Sequence, residues 1–117
     1  MMKFYYQLRM LLAKGLLLSL PGYMVGSRGF AAPAATGAVT YKAKCAMCHG
    51  PDGSGDTPMG KRFKLRDLRS PEVQKETDED LTEIITNGKP PMPGYGKSLR
   101  PAQIHDLIAY IRSVAKS

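Results

Sequence analysis

The 117-residue sequence predicts an all-α domain with long loops, and three observations support that prediction. Apolar residues recur at helical spacing in two stretches, residues 81–85 and 104–111. No stretch alternates apolar and polar residues in the way that a half-buried strand would. Glycine and proline cluster in residues 50–58 and 88–96, which rules out regular structure there and places loops between the helices.

The first half of the domain is expected to hold one helix and a long loop. The helix is predicted to run from Gly37 or Ala38 into residues 45–49, after a mobile tail rich in alanine and proline over residues 31–36. Residues 50–58 form the predicted loop, because glycine and proline make up most of them. Residues 59–71 are expected to be irregular and basic.

Three further helices are predicted from their start signals. A short one should follow Ser70-Pro71, since serine caps helices and proline suits the first helical position. Thr77 is the expected N-cap of the next, which begins with acidic residues and ends at Asn87-Gly88. The last should begin at Pro101, where Arg100 stands in place of a usual capping residue and the helix end is expected to fray.

The most informative stretch is Cys45-Ala46-Met47-Cys48-His49, which has the C-x-x-C-H pattern of a c-type haem attachment site. Two thiols at this spacing can bond the two vinyl groups on one edge of a porphyrin. His49, the next residue, is then placed to give an imidazole nitrogen to the iron. The pattern therefore predicts one covalent haem c bound by Cys45, Cys48 and His49.

Other uses of a C-x-x-C pair remain open at this point. A redox dithiol of the thioredoxin kind needs a βαβ context, and no strand pattern surrounds the motif. A closed zinc site needs four ligands, and adjacent Cys48 and His49 would fit poorly around one ion beside Cys45 and His105. A plain disulfide in an exported protein is the third alternative.

The N-terminal residues read as an export signal. Lys3, Arg9 and Lys14 precede an apolar run over residues 15–25, and small residues follow, with cleavage expected after Ala31 or Ala34. The sequence is therefore divided into a signal and tail, residues 1–34, and a haem-binding domain, residues 35–117, with a periplasmic location. The alternative is an uncleaved leader that anchors the protein in the membrane, although the apolar run is short for a span.

The net charge must be corrected for this leader. The chain has a net charge of +7, and four of its 17 basic residues but none of its 10 acidic ones lie in residues 1–34. The remaining domain has 13 basic and 10 acidic residues, a net charge of +3. No basic stripe interleaved with aromatic residues is present, so the charge does not indicate nucleic-acid binding.

The haem iron needs a ligand opposite His49, and Met92 is the best candidate. Met47 lies inside the attachment segment, Met59 follows His49 too closely, and His105 is expected to face solvent. Prolines flank Met92 on both sides and stiffen its backbone, so that a loop can present the thioether to the metal. A residue that merely fills a gap in the core is the alternative role for Met92.

Ligation by His49 and Met92 would have a functional meaning. A thioether ligand raises the reduction potential of the iron. Two protein ligands leave no position for oxygen or peroxide. The iron would then transfer single electrons without making or breaking bonds, and the protein would not be an enzyme.

The chain resembles the small bacterial class I c-type cytochromes, which carry one haem. The resemblance covers residues 37–115, from the first helix and the haem motif to Met92-Pro93 and the last helix. It implies the class I cytochrome c fold, three to four helices with long loops around one haem. It also implies that Gly37 and Tyr110 meet where the first and last helices cross, with Tyr41 nearby, and that the carbonyl of Pro58 bonds the ligand imidazole.

The expected function is that of a periplasmic one-electron carrier, monomeric or part of a respiratory complex. The alternatives are a haem-bearing subunit of a dehydrogenase or oxidase complex, and a haem enzyme or gas sensor with a labile sixth ligand. A basic run would steer acidic redox partners if it borders the haem edge, and is otherwise an ordinary solvated surface. The run comprises Lys61, Arg62, Lys64, Arg66 and Arg69, and Lys89 and Lys97 could extend it.

Overall fold

The computed structural model describes residue 29 and residues 31–117, and within them it shows six helices and no strand. The all-α prediction is therefore confirmed for this part of the chain. The leader signals before residue 29 lie outside the described residues. In chain order the helices are α1 (Pro33–Lys44), α2 (Ala46–His49), α3 (Pro58–Phe63), α4 (Pro71–Gln74), α5 (Asp78–Asn87) and α6 (Pro101–Ser113).

Helices α1 and α6 cross in close contact at Gly37. A Cβ atom built on Gly37 would lie 1.9 Å from the carbonyl oxygen of Asp106 and 3.0 Å from the Cβ of Tyr110. The rings of Tyr41 and Tyr110 pack beside this point, with their centroids 4.8 Å apart. The family resemblance implies that a small residue and aromatic residues meet where the first and last helices cross. The structure shows this contact.

Two expectations about the first half of the domain are wrong. Helix α1 begins at Pro33 rather than at Gly37 or Ala38, so most of the expected mobile tail is helical. Residues 58–63 form helix α3 instead of irregular chain, because Thr57 caps it and its hydroxyl accepts a 2.8 Å bond from the Gly60 amide. The loop between the haem motif and α3 therefore ends at Thr57.

The predicted starts of the later helices are confirmed. Ser70 caps α4, and Thr77 caps α5 through reciprocal bonds with Asp80. Helix α6 begins at Pro101 as predicted, and there the Gln103 side-chain oxygen accepts a 3.0 Å bond from the Arg100 amide; the fraying of this end stays a prediction.

The core forms between the α1–α6 pair and helices α4 and α5. Its buried apolar side chains are Tyr41, Val73, Leu81, Ile85, Leu99, Ile104, Leu107, Ile108 and Ile111. Within the described part of the chain, none of the helices has the length and apolar character needed to cross a membrane.

Candidate haem site

The C-x-x-C-H segment lies at the junction of α1 and α2. The Cys45 amide still donates to Tyr41 of α1, at 2.8 Å, while the Cys45 carbonyl accepts from the amide of His49, at 2.9 Å. Cys45 and Cys48 are free thiols, and among the described residues no three His, Cys, Asp or Glu side chains lie close enough to hold a metal ion. The structure thus supports neither the disulfide nor the zinc alternative.

Two hydroxyl groups hold this segment from either side. The buried Tyr41 hydroxyl donates a 2.7 Å bond to the carbonyl of Gly50, which directly follows His49. The Thr57 hydroxyl donates a 2.6 Å bond to the carbonyl of Cys48. The Cys48 carbonyl lies in the last turn of a short helix, where it would otherwise lack a partner. The Gly50 carbonyl also accepts a 3.2 Å bond from the Gly53 amide, and these bonds together fix the end of the helix.

The surroundings of the motif favour protonated thiol and neutral imidazole. Burial, and to a lesser extent the neighbouring Cys48, raises the pKa of the Cys45 thiol to about 11. Redox dithiols have lowered pKa values instead, so this environment argues against the thioredoxin-like alternative. Burial, with Arg66 as a second cause, lowers the pKa of His49, and the neutral form is the one that binds a metal.

The Nδ1 atom of His49 is buried and has no hydrogen-bond partner among the described residues. The bond expected from the carbonyl of Pro58 is therefore not formed in this structure. Burial of a polar nitrogen without a partner destabilises the fold, so such a group usually has another role. Binding of a metal is a common role for a histidine of this kind.

A tight turn fixes the backbone of Met92. The amide of Lys89 donates to the carbonyl of Met92 at 3.1 Å, and the amide of Met92 donates to the carbonyl of Lys89 at 2.8 Å. Pro90 and Pro91 fill the two positions between them. Because the turn is closed by two bonds and its prolines are stiff, the Met92 side chain starts from a well-defined position.

The residues after Met92 seat this turn on the end of α5. The amide of Tyr95 bonds the carbonyl of Ile85 at 2.8 Å, and that of Gly96 bonds Thr86 at 3.0 Å. A Cβ atom on Gly94 would lie 2.7 Å from the backbone of Thr86 and Asn87, so only glycine fits there. Neither Gly94 nor Tyr95 was predicted from the sequence, although the Gly-Tyr-Gly run after Met92-Pro93 is a signal of close backbone contact.

Two adjoining cavities bring the motif and Met92 together. The main cavity has a volume of about 250 Å³ and is bounded by Cys45, His49 and Met92 together with core residues. The cysteine-side cavity, about 170 Å³, is lined by the same three residues and by Cys48. The combination of two thiols, a neutral imidazole and a thioether around apolar space fits a covalently bound haem.

The other candidate ligands are less well placed. Met47 is 83% exposed and lines neither cavity, and the His105 side chain is 75% exposed on α6. Both findings agree with the prediction from the sequence. Met59, on α3, lines the cysteine-side cavity but not the main one.

The basic run of residues 61–69 is largely paired with acidic residues. Lys61 bonds Asp56 at 3.0 Å, and Arg66 is paired with Glu76. Arg69 bonds Asp67 and Asp52, at 2.9 and 3.2 Å. Only two members of the run, Arg62 and Lys64, form no ion pair with a described residue. The run is thus a weaker source of positive potential than its sequence suggests.

Comparison with known proteins identifies the family. The model of the family described as Cytochrome C oxidase, cbb3-type, subunit III matches residues 32–111. Cytochrome c6 of Picosynechococcus sp. is 31% identical over 115 residues, covering 94% of this chain and 97% of the relative. The cytochrome c subunit of alcohol dehydrogenase (quinone) from Gluconacetobacter polyoxogenes is 36% identical over 88 residues, which are 66% of this chain and 18% of that protein.

A solved structure agrees with these sequence matches. The KustC0563 c-type cytochrome superposes with a TM-score of 0.64 at 32% identity, covering 68% of this chain and 98% of that one. The similarity therefore extends over nearly all of the solved chain. The chain belongs to the c-type cytochrome family, as a small class I cytochrome that carries one covalent haem and transfers electrons without acting as an enzyme.

Proposed function

We propose that the protein is an exported one-electron carrier whose haem is bonded to Cys45 and Cys48 and ligated by His49 and Met92. The observation that carries this proposal is that His49 and Met92 line the same two adjoining cavities. They come from separate parts of the chain, α2 and the turn after α5, so their meeting at one site is a result of the fold.

The chain's own residues have distinct tasks in this proposal. When bound, the haem supplies an iron that exchanges one electron. His49 and Met92 would both hold the iron and so leave no position for small ligands, and the thioether of Met92 would raise the reduction potential. Tyr41 and Thr57 hold the carbonyls beside His49, which limits movement of the ligand between the two oxidation states.

Export with removal of the leader is the second part of the proposal. Ala32 is the N-cap of α1, and its carbonyl accepts bonds from the amides of Ala35 and Thr36. A cut after Ala31 would preserve this first turn, whereas a cut after Ala34 would remove it. We therefore favour cleavage after Ala31 and a periplasmic mature protein, which N-terminal sequencing of the exported protein would test.

Replacement of the proposed sixth ligand tests the ligand assignment. Met92→Ala and the matched control Met59→Ala would be exported with the haem-attachment machinery and compared by visible spectroscopy and redox titration. We expect Met92→Ala to lose the far-red charge-transfer band of the oxidised protein, to bind carbon monoxide when reduced, and to have a lower potential. Met59→Ala should retain the band. If the behaviours of the two variants were exchanged, Met59 would be the ligand.

A haem-bearing subunit of a larger complex is the second candidate function. It is favoured by the description of the matching family model, an oxidase subunit, and by the similarity to a dehydrogenase cytochrome c subunit. The two functions differ in assembly, because a carrier migrates alone on a sizing column of native extract whereas a subunit migrates with its complex.

The proposed partners are acidic redox proteins that dock beside the cysteine-side cavity. Met59 and Phe63 line this cavity and are each 38% exposed, so they offer an apolar contact surface. Lys44 lines the same cavity, and the guanidinium of Arg62 lies 5.5 Å from the Phe63 ring centroid. Lys44 and Arg62 form no ion pair with a described residue, so the surface would favour a negatively charged partner.

A further inference from the structure

The cationic side chains around the site are distributed unevenly between the two cavities. Lys64, Arg66 and Lys89 all line the main cavity, and none of them lines the cysteine-side cavity. The residues that line the main cavity include no carboxylate. Among the described residues that line this largely apolar cavity, three are therefore basic and none is acidic, while Lys89 also borders a neighbouring cavity lined by Glu76, Asp80 and Glu83.

A bound haem would bring two carboxylates to this region. Its vinyl-derived edge is fixed where Cys45 and Cys48 lie, and its two propionates extend from another part of the ring. We propose that Lys64 and Lys89 bind the two propionates, with Arg66 as a third positive charge nearby. This inference rests on the proposed haem attachment and names residues that the attachment motif does not include.

The ion pairs of the structure distinguish the three cations. Arg66 is already paired with Glu76, whose side chain is 25% exposed, and this pair holds its guanidinium. Lys64 and Lys89 form no ion pair with a described residue. A carboxylate that leaves bulk water needs a positive or hydrogen-bonding partner, and these two ammonium groups are available for that role.

The backbone fixes both lysines at the edge of the cavity. Lys64 has a φ of 52°, the left-handed conformation that is uncommon for a residue with a side chain, and it ends helix α3. Backbone conformations of this kind are found repeatedly at ligand-binding positions. Lys89 is fixed by its paired backbone bonds with Met92, so the two lysines reach the cavity from different segments.

Charge-removing and charge-retaining variants of the haem-loaded protein test the proposal. Lys64→Asn suits the left-handed backbone, and Lys64→Arg retains the charge. Lys89→Gln and Lys89→Arg form the second pair, and Lys97→Gln, on the loop after Met92 but outside the cavity lining, is the matched control. The measurements are the reduction potential at fixed ionic strength and the propionate bending mode in the resonance Raman spectrum.

Loss of a positive charge beside the propionates stabilises the oxidised iron. We expect Lys64→Asn and Lys89→Gln each to lower the equilibrium constant for reduction by about threefold to tenfold, which corresponds to about 30–60 mV. The bending mode should shift in both, and the arginine variants should restore it. The far-red band should persist throughout, because the axial ligands are unchanged.

Two results would overturn the inference and leave the proposed function intact. In one, both charge-removing variants would keep the far-red band and match Lys97→Gln in potential and bending mode. In the other, the arginine variants would lower the reduction potential as much as Lys64→Asn and Lys89→Gln do, which would indicate that the two lysines act through packing and not through charge. Loss of the covalent haem or of the far-red band in the wild-type protein would instead contradict the proposed function itself.

Discussion

The hydroxyl of Tyr41 donates a 2.7 Å hydrogen bond to the carbonyl of Gly50, the residue that follows His49. Tyr41 is only 2% exposed, and its ring packs on that of Tyr110 in the last helix. One side chain therefore connects the crossing of α1 and α6 to the segment that bears the proposed iron ligand. The stability of the helix pair and the position of His49 are thereby coupled.

Tyr41→Phe should lower the free energy of unfolding by about 0.5–1.5 kcal/mol, because it removes a buried hydrogen bond and leaves the Gly50 carbonyl only the longer 3.2 Å bond from the Gly53 amide. Tyr95→Phe is the matched control, since the Tyr95 hydroxyl bonds the carbonyl of Lys44 at an exposed site and at the longer distance of 3.2 Å. Denaturant unfolding of the haem-loaded proteins measures both. An equal loss in the two variants would show that burial of the Tyr41 bond contributes nothing.

The same bond should make stability depend on pH in the alkaline range. Burial, and secondarily the neighbouring Cys45, raises the pKa of Tyr41 above its usual value. A phenol with a raised pKa in the folded state stabilises the protein at lower pH, and this contribution declines once the unfolded tyrosine ionises above about pH 10. Wild-type unfolding should therefore show this decline, and Tyr41→Phe should show less of it.

Gly37→Ala should separate the two crossing helices. The added methyl group would lie 1.9 Å from the Asp106 carbonyl oxygen, so α1 or α6 must move. We expect a loss of at least about 1–3 kcal/mol in the free energy of unfolding. Val39→Ala should reduce the free energy of unfolding far less, because Val39 lies on the same helix and is 72% exposed. Similar thermal unfolding curves for the two variants would contradict the tight crossing.

Gly94→Ala should disturb the proposed sixth ligand without touching it. The methyl group would lie 2.7 Å from the backbone of Thr86 and Asn87, and the turn that carries Met92 would shift away from α5. The expected result is a weaker far-red band and a lower potential, together with a stability loss of about 1–3 kcal/mol. Lys97→Ala on the same loop should leave the band unchanged. An undiminished band in Gly94→Ala would mean that the turn is not positioned by this contact.

Asp67 should contribute stability that disappears in acid. Its carboxylate bonds Arg69 and also Lys116 at 3.0 Å, and the hydrogen bond from Arg69 is the main cause that holds the pKa of Asp67 well below its usual range. A lowered pKa stabilises the folded state above the ordinary value of about 3.9, and the gain is lost as the pH falls through the folded-state pKa. Asp67→Asn should therefore cost about 1 kcal/mol at neutral pH, and the cost should vanish in strong acid.

The proposed docking surface, formed by Lys44, Met59, Arg62 and Phe63, should affect the rate of encounter with negatively charged reactants. Oxidation of the reduced protein by ferricyanide, an anionic oxidant, should slow as salt is added. At low salt, Arg62→Gln should lower this rate by about twofold to tenfold, and the difference should shrink at high salt. Lys75→Gln changes the net charge equally but lies outside both cavity linings. Equal oxidation rates for the two variants would show that Arg62 does not belong to the docking surface.

The parts of the fold that local signals specify could be predicted from the sequence. Thr77 and Asp80 form the expected cap of α5, and Gly88 has a positive φ of 79° immediately after it. Met47 and His105 are exposed, as their positions suggested. In each case a few neighbouring residues determine the result, so no knowledge of distant contacts was required.

Helix α3 was not predicted, although Thr57-Pro58 is the same kind of start signal as Ser70-Pro71, because the glycine inside it, Gly60, weakens a helix locally. The glycine is required there because a Cβ atom on Gly60 would lie 1.9 Å from the Gly55 carbonyl oxygen. Features that depend on contacts between segments could not be predicted, such as the ion pairs of Arg66 with Glu76 and of Arg69 with Asp52. The start of α1 differs from the prediction for another reason, because Pro33 and the alanines beside it suit the first turn of a helix as well as a processed tail.

The most direct test of the central claim is the visible spectrum of the exported protein, oxidised and reduced, with and without carbon monoxide. Ligation by His49 and Met92 predicts sharp low-spin bands, a weak far-red charge-transfer band in the oxidised form, and no response of the reduced form to carbon monoxide. High-spin bands or ready binding of carbon monoxide would mean that the position assigned to Met92 is open, and would contradict the account.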